Sequence, residues 1–270
     1  MTHTFEDLIT LEAREGDVFV PTVYPATDVS FVFGGQLAAQ AVRASTTTTA
    51  PDQMPHSLHA HFLAAAKPEQ PLQYRVHRVR DGRSFGLRQV DAEQDGRRVF
   101  TSMISFHRIP TDTTAADYQL SPPTTPDPDS GAGWTGHMDG ADYFTVLDQR
   151  ELPPAEPGPD GQREFSRRLW FRVSDPLPDD LAVHASALAF ASDLGVTLAA
   201  SVTAGLYRTA TVLTSLDHAL WWHRPARADA WNLLDLVSVS NSDQRGTVRG
   251  TIHTAGGVLA ASLGQETLIR

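Results

Sequence analysis

The chain of 270 residues contains no cysteine, which excludes disulfides, thiolate nucleophiles and cysteine-based zinc sites together. It also has no run of about 18 uninterrupted apolar residues, so we expect no membrane-spanning helix. The first residues, MTHTFEDLITLEAREG, are acidic where a signal peptide needs an apolar run. We therefore expect a soluble protein of the cytoplasm.

Positive charge is in short supply as well. Thirty-two acidic residues stand against 22 basic ones, giving a formal net charge of −10. General nucleic-acid binding depends on a positive field that neutralises phosphates, so this charge argues against a nucleic-acid partner. A few local arginines could still hold a phosphorylated small ligand. The 41% apolar and 20% charged residues are typical of a folded globular protein of one large or two small domains.

The chain divides into two halves with a similar plan. We assign residues 1–110 to the first half and 162–270 to the second. The connector, 111–161, is rich in proline, glycine, threonine and aspartate, a composition that links elements and does not pack between them. Its aromatic residues predict that part of it lies ordered on the surface; they include Trp134, Tyr143 and Phe144.

Each half reads as one strand, a long helix and an antiparallel meander. Helical spacing of apolar residues follows Gly34 in the first half and covers 183–202 in the second. In the first meander, Asp81-Gly82 and Asp95-Gly96 separate strand-like segments, a signal for type I′ hairpin turns. The pattern predicts an α+β pseudo-duplicate in which each of two antiparallel sheets wraps around one central helix.

The segment Gly82-Arg83-Ser84-Phe85-Gly86 matches the G-x-S-x-G pattern of serine hydrolases. A nucleophile elbow needs a strand before the serine and a helix after it. Ser84 instead follows a turn signal and begins a strand-like stretch. We therefore interpret Ser84 as a turn or surface hydroxyl and not as a nucleophile.

Eight short strings, laid out in order along both halves, resemble the acyl-CoA thioesterase II family, the TesB-like double-hotdog hydrolases. They are FVFGGQLAAQAV, SLHAHFL, RDGRSF, PDDLAVH, ASDLG, LDHALWWHRP, RGTVRG and GQETLIR. The resemblance implies two tandem hotdog folds packed side by side. It further implies hydrolysis of fatty acyl-CoA to free fatty acid and coenzyme A, with acyl-CoA as the substrate partner and no cofactor.

The resemblance also implies a catalytic set of an aspartate, a hydroxyl residue and a glutamine. On this chain they correspond to Asp193 of ASDLG, Ser215 just before LDHALWW, and Gln265 in the final strand. Many relatives have threonine where this chain has Ser215; the hydroxyl is kept and the methyl is lost.

The residues themselves are consistent with these roles without requiring them. Asp193 lies in the Ala- and Leu-rich stretch ALAFASDLGVTLAA, where burial would raise the pKa of its carboxyl and make it a better base. A surface aspartate or a local cap beside Gly195 is the alternative. Ser215 and Gln265 could equally be a strand hydroxyl and a sheet-edge amide. Together, the three groups could hold and activate a water molecule.

Three further residues are candidates for substrate binding. Gly34 and Gly35 open the first helix, where unpaired backbone N–H groups could stabilise an oxyanion; the alternative is that they only permit the turn. His218 could orient the site or be a core histidine bonded to backbone. The eleven histidines include no H-E-x-x-H or comparable zinc pattern, so we expect no metal.

Two other functions stay open at this point. Asp217 beside His218 is the kind of pair that an enoyl-CoA hydratase or dehydratase uses, and a non-catalytic acyl-CoA binding module is the second alternative. Exposed sheet edges in such a fold also predict a homodimer or homotetramer.

Overall fold

A computed structural model describes residues 3–24, 30–109, 117–130, 145–207 and 209–270. The connector aromatics Trp134, Tyr143 and Phe144 lie outside these residues. The helices are α1 (Phe5–Ile9), α2 (Gly34–Thr46), α3 (Leu181–Ser192) and α4 (Val196–Thr203), with a 3₁₀ turn at Pro128–Ser130.

Thirteen strands accompany the helices, six of them in the first half. These six are β1 (Leu11–Arg14), β2 (Val18–Pro21), β3 (Gln53–Phe62), β4 (Gln73–Asp81), β5 (Phe85–Gln94) and β6 (Arg97–Arg108). The others are β7 (Leu147–Leu152), β8 (Arg167–Val173), β9 (Leu213–Ser215), β10 (Asp217–Trp222), β11 (Asn232–Ser242), β12 (Arg245–Thr254) and β13 (Leu259–Ile269). The predicted α+β class is confirmed.

All strands belong to one antiparallel sheet in the order β1-β2-β4-β5-β6-β3-β10-β13-β12-β11-β8-β7, and β9 pairs with β13. The two meanders are joined where β3 pairs with β10, with Ala219 opposite His59. The prediction of two tandem sheets therefore needs one amendment: hydrogen bonds continue across the junction, because β3 and β10 lie at the inner edges of their meanders and pair with each other.

The long helices of the two halves pack against each other inside the sheet. Phe33, at the start of α2, meets Phe190 of α3 edge to face, with ring centroids 5.0 Å apart. Helix α3 is buried from Ala182 to Ser192, and the segment Leu181–Thr203 is long and apolar enough to cross a membrane. Because 83% of its most apolar window is buried inside the protein, it is a core segment.

Two details of the predicted elements change. The helix expected over 183–202 is interrupted at Gly195, whose φ of +64° ends α3 and starts α4. The turn at Asp95-Gly96 has the two positive φ angles of a type I′ hairpin, as predicted. The type I′ prediction at Asp81-Gly82 is wrong, since neither residue has positive φ and the chain crosses to β5 in a longer loop.

Ser84 lies in that β4–β5 loop, is exposed, and is followed directly by β5. With a strand after it and no helix, it does not have the setting of a nucleophile elbow.

The part of the connector that the structure describes lies on the second half of the sheet. The Gln119 amide donates to the carbonyl of Gly257 and accepts from the backbone N–H of Leu259. The Trp170 indole donates to the carbonyl of Pro126. Strand β7, also within 111–161, pairs with β8 at the edge of the sheet. These bonds explain how a proline-rich segment is held in place.

Candidate active site

The carboxylate of Asp193 lies in the core at the end of α3. Asp193 is the C-terminal cap of the helix and not an interior residue, because the chain turns at Gly195. Its exposed fraction is only 7%. Within the described part of the chain, its Oδ1 atom accepts no hydrogen bond. A buried carboxylate with a free acceptor atom is available to a bound water or ligand.

Burial has a direct consequence for the acidity of this group. Removal from water raises the pKa of the Asp193 carboxyl from 3.8 to about 7. Three groups that face the carboxylate oppose the rise in pKa: the Gln265 amide, the backbone N–H of Gly35 and the Ser215 hydroxyl. A carboxyl with this pKa is partly ionised near neutral pH and can both take up and release a proton.

Ser215 and Gln265 meet beside this carboxylate although 50 residues separate them in the chain. Ser215 ends the short strand β9, which pairs with the end of β13. Gln265 lies on β13 and is 2% exposed. Its Nε2 donates to Ser215 Oγ over 2.8 Å. Sheet pairing therefore sets the distance between the two side chains.

His218 continues this chain of hydrogen bonds into the core. Its Nδ1 lies 2.6 Å from Oε1 of Gln265, and its Nε2 lies 2.8 Å from Oγ of Ser192. Burial lowers the pKa of His218 to about 4, so the ring is neutral at pH 7.

The chemistry of each group fixes the direction of these bonds. Gln265 Oε1 can only accept, so Nδ1 of His218 carries the ring proton and Nε2 is an acceptor. The single proton of the Ser192 hydroxyl faces two acceptors, Nε2 of His218 and the carbonyl of Ala189, each 2.8 Å away. Because Ser215 Oγ accepts from Gln265, its own proton is free to point toward the carboxylate or a water molecule.

Gly34 and Gly35 complete the site from the first half of the chain. Neither has positive φ, so the strand-to-helix turn does not require glycine. A Cβ on Gly34 would lie 2.6 Å from Asp193 Oδ2 and 2.8 Å from the Phe62 ring, and one on Gly35 would overlap the Phe190 carbonyl. These glycines let the start of α2 pack against the end of α3.

Asp217 and His218 do not form a catalytic pair. As neighbours on β10 they point to opposite faces of the sheet. The Asp217 carboxylate accepts from the backbone N–H of Glu266 over 2.7 Å and bridges the gap between β9 and β10. A structural role accounts for this aspartate.

The structure thus brings together all six residues that were predicted for catalysis and substrate binding: Asp193, Ser215, Gln265, Gly34, Gly35 and His218. It adds Ser192, which sequence reasoning missed; the only available signal was its position directly before the aspartate in ASDLG. Among the residues that the structure describes, no cluster of three or more histidine, aspartate or glutamate side chains is arranged to hold a metal ion.

Comparison with known families identifies both halves. Residues 24–107 match the family described as acyl-CoA thioesterase N-terminal domain, and residues 115–269 match the acyl-CoA thioesterase C-terminal domain.

Individual relatives agree over nearly the whole chain. Human acyl-coenzyme A thioesterase 8 is 30% identical, with 97% of this chain and 88% of the human protein covered. Acyl-CoA thioesterase 2 of Haemophilus influenzae is 28% identical over 88% of this chain and 87% of its own length. Among solved structures, the acyl-CoA thioesterase II TesB2 from Mycobacterium marinum is 35% identical, with a TM-score of 0.84 and coverage of 99% and 98% of the two chains.

Proposed function

Because this chain belongs to the acyl-CoA thioesterase family and hydrolyses acyl-CoA thioesters, we propose that Asp193, Ser215 and Gln265 catalyse direct attack of water on a fatty acyl-CoA. The observation that carries the proposal is the buried Asp193 carboxylate, with a pKa of about 7 and a free acceptor atom, beside a bonded hydroxyl and amide.

In this proposal Asp193 is the general base. Its carboxylate takes a proton from water while the water oxygen bonds to the thioester carbonyl carbon. The tetrahedral intermediate then expels coenzyme A as a thiolate, and the proton held by Asp193 is available to the leaving sulfur. A thioester has a good leaving group, so the reaction needs no covalent intermediate on the protein.

Ser215 and Gln265 orient the water. The hydrogen bond from Gln265 occupies one lone pair of Ser215 Oγ and leaves the hydroxyl proton free, so that one water can contact both Ser215 and Asp193. The backbone N–H of Gly34, at the positive end of α2, is our proposed oxyanion donor. The N–H of Gly35 already faces the carboxylate.

His218 and Ser192 hold Gln265 in this orientation. Replacement of His218 by Phe removes the Nδ1–H donor while keeping an aromatic ring, so we expect kcat to fall by ~10-fold or more with little change in KM. In a Gln265→Ala background the same replacement should have little further effect. Equal losses in both backgrounds would mean that His218 does not act through the amide.

A thiol-release assay tests the function. Purified protein should liberate free coenzyme A from saturated acyl-CoA, with kcat rising as pH increases through about 7 because Asp193 must be ionised. An enoyl-CoA tests the hydratase alternative in parallel: loss of enoyl absorbance without thiol release would favour hydration. Ligand-induced stabilisation without turnover would favour a binding module.

The double-hotdog arrangement, with halves 1–110 and 162–270, belongs to the same proposal. It is supported by the two family matches and by the two meanders, each with one long helix. We also propose a cytoplasmic homodimer or homotetramer, since β1 and β7 are sheet edges open to further pairing. Sedimentation equilibrium measures the oligomeric state directly.

A further inference from the structure

The two halves of the chain can be aligned residue by residue around the β3–β10 junction. Residues 61–70 and 221–230 have the same succession of strand end, bend and turn, an offset of 160 residues (221 minus 61). The irregularities in the strands agree with this offset. Strand β3 is irregular between Pro55 and Ser57, and the equivalent gap separates Ser215 from Asp217. Every site in one half therefore has a counterpart in the other.

The counterpart of the candidate active site has apolar residues in place of the hydroxyl, the imidazole and the amide. Pro55 stands where the second half has Ser215, and Leu58 stands where it has His218. Pro55 pairs with Phe106 as Ser215 pairs with Thr267, which places Ile104 at the position equivalent to Gln265.

The helices extend the correspondence. The N-terminal caps of α2 and α3 are Phe33 and Asp180, which lie 147 residues apart in the chain. The same offset makes Thr46, at the end of α2, the counterpart of Asp193. Neither a carboxylate nor an amide is left at these positions to activate water. One of the two duplicated sites can therefore carry out the chemistry.

The counterpart site is nevertheless open. A cavity of about 220 Å³ lies at the opposite end of α3 from Asp193. One water molecule needs roughly 10–15 Å³ of such volume, so the cavity has room for several non-hydrogen atoms. Pro55 and His56 of β3 line one wall, and the first turns of α3 and Trp222 line another. Trp222 is the counterpart of Phe62, which packs against Gly34 in the active site. Duplication explains the position of this cavity.

One buried donor that lines this cavity has no partner in the part of the chain that the structure describes. His184 is 2% exposed, and its Nδ1 accepts from the backbone N–H of Ala228 over 3.1 Å. A neutral ring that accepts at Nδ1 carries its proton on Nε2. Burial lowers the pKa of His184 and favours this neutral form. Among the residues described, nothing accepts from Nε2. A buried N–H of this kind costs free energy unless a ligand supplies an acceptor.

The remaining lining indicates the rest of the ligand. Met54, Ile109 and Leu188 provide apolar walls. Three further histidines line the cavity and already have partners: His56 bonds to Ser105, His223 bonds to Ser262, and His107 stacks on Phe85. Arg224 also lines the cavity, and its guanidinium is paired with Asp117. A long apolar body with one oxygen acceptor at its end matches this surface better than a charged or highly polar molecule does.

We propose that this cavity is a second acyl-binding site that holds an acyl chain without hydrolysing it. The acyl chain lies along the apolar walls. Its carbonyl or carboxylate oxygen accepts a hydrogen bond from the N–H at Nε2 of His184. The choice of an acyl ligand rests on the proposed function, because the cavity is the duplicate of a site for acyl thioesters. The source is either free fatty acid, the product of the reaction, or the acyl part of a second acyl-CoA.

Binding stoichiometry tests the proposal. Calorimetric titrations of the wild-type protein use two probes: octanoate, and an octanoyl-CoA analogue with methylene in place of the thioester sulfur. We expect two sites per chain for at least one probe. Ala185→Leu fills the cavity and Leu181→Trp blocks it from the half-exposed start of α3. Each variant should bind one equivalent fewer and keep thiol release within a factor of about two. Ala13→Leu, at an exposed position on β1, is the matched control.

The two probes separate the two sources. Second-site binding of octanoate alone identifies the free acid, and binding of the analogue alone identifies acyl-CoA. The ring ¹⁵N–¹H signal of His184 should shift when the second site fills. One site per chain for both probes in the wild-type protein, or two sites in both blocked variants, would overturn the proposal. Neither result would touch the proposed function, which thiol release by the wild-type protein tests separately.

Discussion

Replacement of Asp193 by Asn should abolish most of the activity and yet stabilise the protein at alkaline pH. The carboxyl has a pKa of 3.8 in an unfolded chain and about 7 in the folded protein. Below pH 3.8 it is protonated in both states and folding is not opposed. As pH rises, the unfolded chain loses this proton first, so the folded state becomes progressively less stable until pH exceeds about 7.

The size of the effect follows from the difference in pKa. The pKa in the folded protein is about three units above that in the unfolded chain, and each unit corresponds to ~1.36 kcal/mol. Ionised Asp193 therefore lowers the free energy of unfolding by about 4 kcal/mol above pH 7. Asparagine has the same shape and no proton to lose. The stability of Asp193→Asn relative to the wild type should therefore increase by about 3 kcal/mol from about pH 5 to about pH 9.

Guanidinium titrations of both proteins at the two pH values measure this difference. Asp175→Asn removes a carboxylate from an exposed bend and serves as the control. Thiol release by Asp193→Asn should fall by ~100-fold or more at both pH values. A stability difference that does not change with pH would refute the argument that burial controls this carboxyl.

Substitutions at four further positions give separate tests. Gly34→Ala should lower kcat by ~10-fold or more, because the new methyl group would displace the Asp193 carboxylate; unchanged kinetics would contradict the close approach described above. Ser215→Thr should keep most of the thiol-release activity and Ser215→Ala should lose ~10-fold or more, since only the hydroxyl contacts the water; equal activity of the two would exclude that role. Ser84→Ala should leave turnover within a factor of about two, and a complete loss would revive a serine nucleophile. Gly195→Ala should lower the free energy of unfolding by about 2 kcal/mol or more in chemical denaturation, because its φ is positive and its Cβ would overlap the Arg167 guanidinium.

Local patterns were sufficient for much of the fold and for the burial of one site residue, Asp193. Apolar spacing located α2 and α3, and alternation with polar turns located the strands of both meanders. The burial of Asp193 was predictable because alanine and leucine surround it in sequence. Ser215 and Gln265 were identified only through family resemblance, since nothing beside them in the chain indicates that they meet.

The features that sequence reasoning missed depend on contacts between distant residues. Pairing of β3 with β10 joins strands that are about 160 residues apart, and no local pattern specifies such a partner. Ser192 looks like an ordinary small residue of an alanine-rich helix until the ring of His218 is seen beside it. The break at Gly195 follows from its left-handed backbone and the nearby Arg167 side chain, neither of which apolar spacing reports.

The continuous sheet means that neither half of this chain is a self-sufficient module. A fragment beginning near residue 162 would keep the acid, the hydroxyl and the amide, but it would expose the edge of β10 that β3 normally covers. It would also lack the glycine-led helix against which Asp193 rests. Splitting the gene at the connector would therefore yield two polypeptides that regain function only by reassembling. Exchange of halves between relatives would succeed only where the side chains along the β3–β10 pairing are compatible.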